Sequence, residues 1–523
     1  MDTKLTDMLR AQRAREVGPG TVVVDAPLRM ALLYPSPYNV AMSSLGYLQI
    51  HRLANERPGT VCERAMLPSP EALERHRRTR SPLLTIERLR PAADADVIGF
   101  SHAYELELTG IVQMFDLMGL EPLARDRSGT DPLVVIGGPI TFSNPLPTAP
   151  FADVMILGEA EVAIQELLSR LEETPQAARG DAAARRRLLE DLAGLPGFFV
   201  PSLHGERLPP IGQAPHDMLP AYSAIRTPDT ELSDMMLIEP ERGCHRGCTF
   251  CVMRRSTNGG MRLVPPEVVT ALVADDVPKV GLVGAAVTDH PGIKQILREL
   301  VDVRGKRIGV SSLRADRLDD EFVGLLARGG YRSMTVALDA ASARLRDVIE
   351  KNIKDRHVQR AASLAKANGM RHLKLYVIVG LPEETEEDRA ELVELILRLK
   401  KTLPIVLGVS PFVPKFHTPL AAAPFLGERG VDNVLKDLRR RLAPAGVQLR
   451  GPGAREAYVE YRLSQGGCAH AEAAVAAARA GGKLSHYKRA LRDLPERQRP
   501  TNFEDLVPAP TFRRGRLATA VLP

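Results

Sequence analysis

The chain has 523 residues, of which 44% are hydrophobic and 26% are charged, and this composition excludes a disordered or fibrous protein. Its length predicts about three to four domains, or two large domains with extensions. The net charge of +6 arises from 70 basic and 64 acidic residues, and this excess is too dilute to indicate a nucleic-acid-binding protein.

Cysteines are few, and three of the five lie within eight residues. This distribution excludes the disulfide framework of a small secreted protein, and free thiols are typical of a reducing cytosol. Residues 1–15 are charged throughout and lack the apolar segment of a signal peptide. No apolar run reaches the roughly 18 residues that a transmembrane helix needs. We therefore expect a cytoplasmic protein without a membrane span.

Apolar runs alternate with helical patterns over the first 172 residues. Four such runs end near Tyr34, Ser101, Gly138 and Gly158, and a helical pattern follows most of them. This alternation predicts a doubly wound parallel sheet with a ligand crevice at the carboxyl ends of its strands. Glycine at those ends would let the backbone approach a bulky cofactor closely, although a tight turn needs the same residue.

The motifs at these strand ends lie in segments 43–48, 98–101, 135–139 and 152–161. They resemble the motifs of cobalamin-binding domains that precede a radical S-adenosylmethionine (SAM) domain. The resemblance implies a Rossmann-like, cobalamin-binding-type domain at residues 1–200. The cofactor contacts that it implies are Ser43, Ser44, Gly46, Ser101, Gly137, Gly138, Gly158 and Glu159.

One departure from these relatives concerns cobalt ligation. The D-x-H-x-x-G signature, by which many cobalamin domains supply a histidine to the cobalt, is absent from the chain. Cobalamin can bind without it, and a Rossmann-like domain that has lost cobalamin would show the same motifs. His102 lies just beyond a predicted strand, where it is either a group facing the cofactor or a structural histidine.

A cysteine loop follows the strand predicted at residues 235–240. Cys244, Cys248 and Cys251 have the spacing C-x3-C-x2-C. Three thiolates can bind three irons of a [4Fe–4S] cluster and leave the fourth iron open to an exogenous ligand. A structural zinc site would need a fourth protein ligand, and a ferredoxin-type run would need four cysteines per cluster. The loop therefore favours one [4Fe–4S] cluster with an open iron.

With the aromatic Phe250 before the third cysteine, this spacing resembles the motif of the radical SAM superfamily. The resemblance implies that SAM chelates the open iron and is cleaved by one electron to methionine and a 5′-deoxyadenosyl radical. It also implies a radical SAM core at residues 235–424 that folds as a partial (β/α)6 barrel. The six predicted strands are 235–240, 280–284, 307–311, 334–338, 373–379 and 405–410.

SAM contacts are expected at the carboxyl ends of these strands, where parallel barrels gather their functional groups. The resemblance assigns this role to Phe250, Gly284, Ala285, Ser311, Ser312, Arg314, Asp339, Arg344, Val379 and Gly380. Ala286 replaces the acidic member usual in the glycine-rich motif whose backbone holds the SAM amino group. Arg314 resembles a residue that pairs with the SAM carboxylate. For the polar and charged members, a helix cap or a surface ion pair is the alternative role.

The remaining segments are less informative. Residues 201–234 are rich in Pro, Gly and Ser, which predicts a linker. Residues 425–523 predict a helical C-terminal extension that closes the barrel and ends in a Pro-rich tail from Pro495. Cys468 in this extension is either a helper thiol for radical chemistry or an ordinary cysteine, and Cys62 has the same alternatives.

The leading functional hypothesis joins the two resemblances. A cobalamin-dependent methyltransferase would methylate an unactivated carbon of a small-molecule or peptide substrate, with an electron donor such as flavodoxin or ferredoxin. One alternative is radical C–H activation, cyclisation or rearrangement without methyl transfer; another is a regulator that senses iron–sulfur status. Two cysteines outside the loop are too few for a second all-cysteine cluster. The sequence assigns neither a catalytic residue nor a substrate.

Overall fold

The computed structural model describes residues 2–18, 26–253 and 260–496. This part of the chain forms two compact units, one from residues 2–236 with 462–496 and one from residues 237–461. The predicted tail lies outside the described residues from position 497 onward. Among the helices that the structure describes, none is both long and apolar enough to cross a bilayer.

A six-stranded sheet in the order β2-β1-β3-β4-β5-β6 forms the first unit. Neighbouring strands run parallel, except that β6 is antiparallel to β5. The strands are β1 (Leu28–Tyr34), β2 (Thr60–Met66), β3 (Val97–Ser101), β4 (Leu133–Gly137), β5 (Val154–Ile156) and β6 (Phe198–Phe199). The predicted α/β fold with a parallel sheet is confirmed.

Helices cover both faces of this sheet, which explains why its central strands are apolar throughout. One face packs against helices Leu45–Asn55 and Glu161–Glu173. On the other face Phe100 contacts Phe115, with ring centroids 5.3 Å apart. The helices of this unit are Thr3–Ala14, Tyr38–Ala41, Leu45–Asn55, Pro70–Thr79, Leu108–Met118, Glu161–Glu173, Pro175–Ala178, Ala182–Ala193, Pro201–His204, His470–Arg479 and Leu484–Ala490.

Strand β2 was not predicted because charged residues interrupt its apolar pattern. Arg64 is fully buried and pairs with Glu16 at 2.7 Å and with Glu87 at 2.6 Å. Both carboxylate side chains are only 3% exposed. Ion pairs between residues so distant in sequence leave no signal in the local sequence pattern. Burial of a charged side chain is nevertheless tolerable only when it has a partner of opposite charge.

The predicted linker, residues 201–234, is instead part of the first unit. Gly212 donates a backbone hydrogen bond to Leu157 at 2.8 Å and forms a parallel bridge with Gly158. Further along, Arg226 forms an antiparallel bridge with Val17. Polar and glycine-rich composition predicted a linker here, but the backbone of this segment continues the hydrogen bonding at the edge of the sheet.

In its described residues the second unit contains three sheets, in the orders β7-β10-β11, β12-β13-β14-β15 and β8-β9. A parallel bridge between Leu313 and Val336 lies between β11 and β12. The strands are β7 (Met236–Ile238), β8 (Glu241–Gly243), β9 (Met261–Leu263), β10 (Lys279–Leu282), β11 (Arg307–Val310), β12 (Ser333–Ala337), β13 (His372–Val379), β14 (Ile405–Pro411) and β15 (Gln448–Arg450). All six predicted barrel strands are present.

Helices separate these strands, as a βα barrel requires. They are Pro266–Ala271, Ile293–Leu297, Arg298–Val303 (a π-helix), Asp320–Arg328, Ala343–Val348, Asp355–Ala367, Glu386–Lys400 and Gly427–Leu442, followed by Ala454–Ser464. Thr385 and Asp388 form a capping box at the start of Glu386–Lys400. The predicted C-terminal extension is divided between the units, because β15 pairs with β14 while residues 462–496 belong to the first unit.

We expect Arg64→Met to lower the free energy of unfolding by about 3–5 kcal/mol, because two buried carboxylates lose their cation. Equilibrium urea unfolding measures the change. Arg186→Met is the control, since the Arg186 side chain is 81% exposed and its loss should change the free energy by about 0.5 kcal/mol or less. Equal effects of the two substitutions would contradict the buried network.

Candidate functional site

The cysteine loop connects strands β8 and β9, which form a short antiparallel ladder. Strand β8 pairs with β9, with Glu241 opposite Leu263 and Gly243 opposite Met261. Gly243 has a φ of 90°, a left-handed conformation that favours glycine, directly before Cys244. Residues 254–259 of the loop lie outside the described residues.

All three loop cysteines are free thiols that are half-buried. The backbone N–H of Arg246 lies 3.4 Å from the Cys244 Sγ, and that of Cys251 donates to the Cys248 carbonyl at 3.3 Å. Within the described ranges, no three His, Cys, Asp or Glu side chains are grouped to hold a metal ion. The donor set itself, three thiols on one loop, fits a [4Fe–4S] cluster with one open iron.

Burial governs the ionisation of these thiols. It raises the pKa of Cys244 and Cys248 above the ordinary value, and it raises the pKa of Cys251 to about 11. The positive charges of Lys351 and Arg314 oppose this effect at Cys248. Since only thiolates ligate iron, cluster binding at this loop must release protons.

Residues 349–351 contact the cysteine loop. The Thr249 N–H donates to the Ile349 carbonyl at 3.1 Å, and the Cys248 Sγ lies 4.0 Å from the Glu350 carbonyl. Lys351, the next residue, is buried and forms an ion pair with Asp339. The structure thus brings a predicted SAM residue, Asp339, to the surroundings of Cys248 through a lysine that the sequence analysis missed.

An ion-pair cluster lies on the other side of the loop. Arg246 binds both carboxylate oxygens of Asp289, at 2.6 and 2.8 Å, and Arg317 adds a contact at 2.8 Å. Burial alone would raise the pKa of Asp289, but the hydrogen bonds and charge of Arg246 outweigh it and hold that pKa below its usual value. The cluster fixes the loop between its first two cysteines.

Hydrogen bonds fix both ends of the turn after β10. The Ser311 hydroxyl donates to the Gly284 carbonyl at 3.0 Å, and the Ala286 N–H donates to the Glu241 Oε1 at 2.7 Å. A Cβ at Gly284 would lie 2.2 Å from that same oxygen, so a larger residue would have to displace the Glu241 carboxylate. Ala285, between the two ends, is exposed. The structure therefore brings Gly284, Ala285 and Ser311 together at this turn.

Glu241 is the main residue that sequence analysis missed here. It is 0% exposed, and burial raises its pKa to about 7, with smaller contributions from Glu239 and Asp289. Its position three residues before Cys244 was a signal that it belongs to the site. Nothing in the sequence indicated that its side chain reaches the turn after β10.

Several other predicted SAM residues already have protein partners. Arg314 bonds to Asp316 at 3.1 and 3.3 Å and to the Lys351 carbonyl at 3.1 Å. Arg344 pairs with Asp388 at 2.6 Å while its side chain is 47% exposed. These contacts correspond to the structural alternative, an ion pair or a cap. Ser312 is exposed and makes no such contact with the residues that the structure describes.

The end of β13 and the cysteine loop carry the remaining predicted SAM residues. Val379 is fully buried, and its carbonyl accepts from the Phe412 N–H at 2.8 Å. Gly380 has a φ of 75°, and its N–H donates to Glu384 at 2.9 Å. Phe250 is half-buried beside Cys251.

In the first unit, three predicted cobalamin contacts face the protein itself. A Cβ at Gly138 would lie 2.6 Å from the His102 carbonyl oxygen, and one at Gly158 would lie 2.5 Å from the Gly212 carbonyl oxygen. The Glu159 carboxylate accepts from the Ala214 N–H at 2.7 Å. At these positions the structure does not fit a bound corrin, because protein atoms occupy the space that the glycines leave.

His102 is structural. It is fully buried, with its ring nitrogens 3.1 Å from the Thr148 hydroxyl and 2.8 Å from the Tyr104 carbonyl. Burial lowers its pKa below the ordinary value. The histidine therefore belongs to the core rather than to a cobalt site.

The other predicted cobalamin contacts do not enclose a ligand-binding site among the residues that the structure describes. The Ser43 hydroxyl donates to the Asn39 carbonyl at 2.8 Å, and Gly46 borders open space. Ser101 is half-buried at the end of β3. Ser44 forms a side-chain hydrogen bond with Tyr34. A Cβ added at Gly137 would lie 3.5 Å from the Ile156 carbonyl oxygen.

The two cysteines outside the loop lie in the first unit. Cys62 is fully buried in β2. The Cys468 N–H donates to Glu206 at 2.8 Å, and burial, reinforced by that carboxylate, raises the pKa of the Cys468 thiol to about 12. This pKa keeps the Cys468 thiol protonated at neutral pH.

Comparison with known proteins identifies relatives that are similar over most of the chain. The chain is 27% identical over 430 residues to an uncharacterised protein of Methanocaldococcus jannaschii, covering 80% of this chain and 84% of the relative. It is 22% identical over 327 residues to a Pyrococcus horikoshii protein named as an uncharacterised methyltransferase, covering 60% and 67%.

Solved structures add a weaker likeness. The cobalamin-dependent SAM radical enzyme OxsB, with aqua-cobalamin bound, is 14% identical with a TM-score of 0.47, and the match covers 73% of this chain and 53% of OxsB. This chain therefore aligns with about half the length of OxsB.

Two protein families match the chain directly. Residues 46–201 match the family described as Radical SAM proteins, N-terminal, and residues 238–396 match the Radical SAM superfamily. The second match begins at the end of β7 and includes the cysteine loop. The chain is therefore a radical SAM protein, with both the N-terminal and the core domain of that superfamily.

Proposed function

We propose that this enzyme holds one [4Fe–4S] cluster on Cys244, Cys248 and Cys251, binds SAM beside it, and activates an unactivated C–H bond of its substrate. The observation that carries the proposal is the three-thiol loop on the β8–β9 ladder, adjacent to the turn after β10. Radical SAM proteins use such a loop to leave one iron open.

When bound, the cluster supplies the electron that cleaves SAM to methionine and a 5′-deoxyadenosyl radical. The protein must orient SAM and exclude water from the radical. Ser311 and Glu241 fix the turn that faces SAM, so that its backbone groups need no rearrangement on binding. Lys351 and Asp339 form an ion pair beside Cys248, so the Asp339 carboxylate there is paired with a cation.

Two outcomes for the substrate radical remain from the sequence analysis. The filled spaces beside Gly138 and Gly158 favour radical C–H activation, cyclisation or rearrangement without cobalamin. Methylation of the carbon is the second candidate, supported by the methyltransferase name of the Pyrococcus horikoshii relative. We also propose a small-molecule or peptide substrate, a flavodoxin or ferredoxin as electron donor, and a cytoplasmic location.

We expect Cys248→Ala to abolish the visible absorbance of thiolate-bound iron after anaerobic reconstitution, because two thiolates remain where three are needed. Cys468→Ala is the control, since this cysteine lies in the other unit, and it should keep the wild-type absorbance and iron content. Full absorbance in the Cys248→Ala protein would overturn the assignment of the loop.

Reduction of the reconstituted wild-type protein should convert SAM to 5′-deoxyadenosine and methionine, detected by chromatography and mass spectrometry. Failure of this cleavage would overturn the enzymatic proposal. The same preparation, incubated with hydroxocobalamin and desalted, should retain no corrin, because protein atoms fill the space beside Gly138 and Gly158. Stoichiometric retention of corrin would instead support the methylation candidate.

A further inference from the structure

The inner face of the four-stranded sheet, which is the face opposite its helices, carries polar side chains that the cysteine loop does not use. Alternate residues of β13 are buried on the outer face, where helix Asp355–Ala367 packs against the strand. Lys374 and Tyr376 lie on the inner face, and Tyr376 is 37% exposed although its strand has a neighbour on each side. An aromatic side chain exposed in the middle of a sheet borders open space.

Strand register places two rows of side chains next to each other on this inner face. Residues opposite each other in neighbouring strands point to the same side of a sheet. A Cβ at Gly408 would lie 2.5 Å from a carbon of the Tyr376 ring, so this ring lies over β14. The first row is Thr335, Lys374, Val406 and Gln448, and the second row is Ala337, Tyr376, Gly408 and Arg450.

The two cations of these rows, Lys374 and Arg450, have only neutral partners. The Lys374 Nζ lies 4.7 Å from the centre of the Tyr376 ring, which is a cation–π contact. Arg450 is exposed and donates to the Gln448 side-chain oxygen at 2.9 Å. Neither cation forms an ion pair with a residue in the part of the chain that the structure describes. The inner face therefore presents two positive charges to an anion.

This inner face is continuous with the surroundings of the cysteine loop. The Tyr376 carbonyl accepts from the Asp339 N–H at 3.0 Å, and Asp339 pairs with Lys351 beside Cys248. In the proposed function SAM binds at the loop and at the strand ends. The middle of the inner face is thus left to the substrate.

We propose that Lys374 and Arg450 bind an anionic group of the substrate, a carboxylate or a phosphate, with the Tyr376 hydroxyl as a further donor. Strands β13 and β15 lie about 10 Å apart, on either side of β14, so two long side chains can reach one anion between them. The guanidinium can donate two parallel hydrogen bonds to either oxyanion, and the ammonium adds a second charge. This inference rests on the proposed function, because it narrows the substrate of that reaction to one with an acidic group.

Protection of Lys374 from acetylation tests the proposal. The reconstituted holoprotein is treated with N-hydroxysuccinimide acetate in rising concentrations of inorganic phosphate or of succinate, with potassium chloride of equal ionic strength as the reference. Peptide mass spectrometry measures the acetylation of each lysine. A bound anion should slow the acetylation of Lys374 by about fivefold or more, because it favours the charged, unreactive ammonium. Lys436, which is 69% exposed and pairs with Asp432, should react at an unchanged rate.

Substitutions of Arg450 separate a specific site from general attraction of anions. Arg450→Gln should raise the half-protecting concentration about 10-fold, because a charged hydrogen-bond donor is lost, and Arg450→Lys should retain most of the protection. Arg440→Gln is the matched control, since it removes the same charge from a side chain that is 80% exposed on a helix of the same unit. Equal effects of Arg450→Gln and Arg440→Gln would overturn the inference.

The choice of anion identifies the acidic group. Protection by phosphate alone supports a phosphorylated substrate, and protection by succinate alone supports a carboxylate. Protection by neither anion, in a protein that cleaves SAM, would overturn this inference and leave the proposed function standing. A protein that protects Lys374 but does not cleave SAM would overturn the proposed function, and with it the assignment of the anion to a substrate of radical chemistry.

Discussion

Hydrogen bonds between the carboxyl ends of neighbouring strands hold the candidate site together. In a parallel arrangement these ends meet at one edge and leave backbone groups without ladder partners. The Ser311 hydroxyl satisfies the Gly284 carbonyl, and the Ile349 carbonyl accepts from Thr249 inside the cysteine loop. The loop and the turn after β10 are therefore fixed by the barrel rather than by their own sequences.

Backbone strain occurs near these hydrogen bonds. Asp339, Glu350 and Asn352 all have φ between 56° and 64°, in the left-handed region that non-glycine residues rarely adopt. Glu350 contributes the carbonyl near Cys248, and Asp339 pairs with Lys351. Strained residues persist where the surrounding structure fixes them, and such places are often functional sites. Glu350 and Asp339 lie near Cys248 of the proposed cluster-binding loop, whereas Glu383 and His417 of the same unit also have positive φ.

The sequence predicted the fold well because apolar runs and glycine turns are local signals. Every predicted strand of both units appears, and the cysteine spacing alone located the loop. It failed where the deciding partner is distant in sequence. Strand β2 depends on Glu16 and Glu87 to bury Arg64, and the role of Gly158 depends on Gly212 packing against it. The same limit hid Glu241, whose partner Ala286 lies 45 positions away.

Glycine at a strand end therefore had two explanations that sequence alone could not separate. A close approach by a cofactor and a close approach by the chain itself both require the absence of a Cβ. At Gly138 and Gly158 the second explanation holds, and at Gly284 the atom that approaches is likewise one of the chain, the Glu241 Oε1. In both units these glycines thus make room for other parts of the chain.

The most direct test of the central claim is Mössbauer spectroscopy of protein reconstituted with iron-57. Three thiolates leave one iron of the cluster without a protein ligand, so addition of SAM should change the signal of one iron in four and leave the other three unaltered. A spectrum that SAM leaves unchanged would contradict the account, as would a protein that assembles no four-iron cluster.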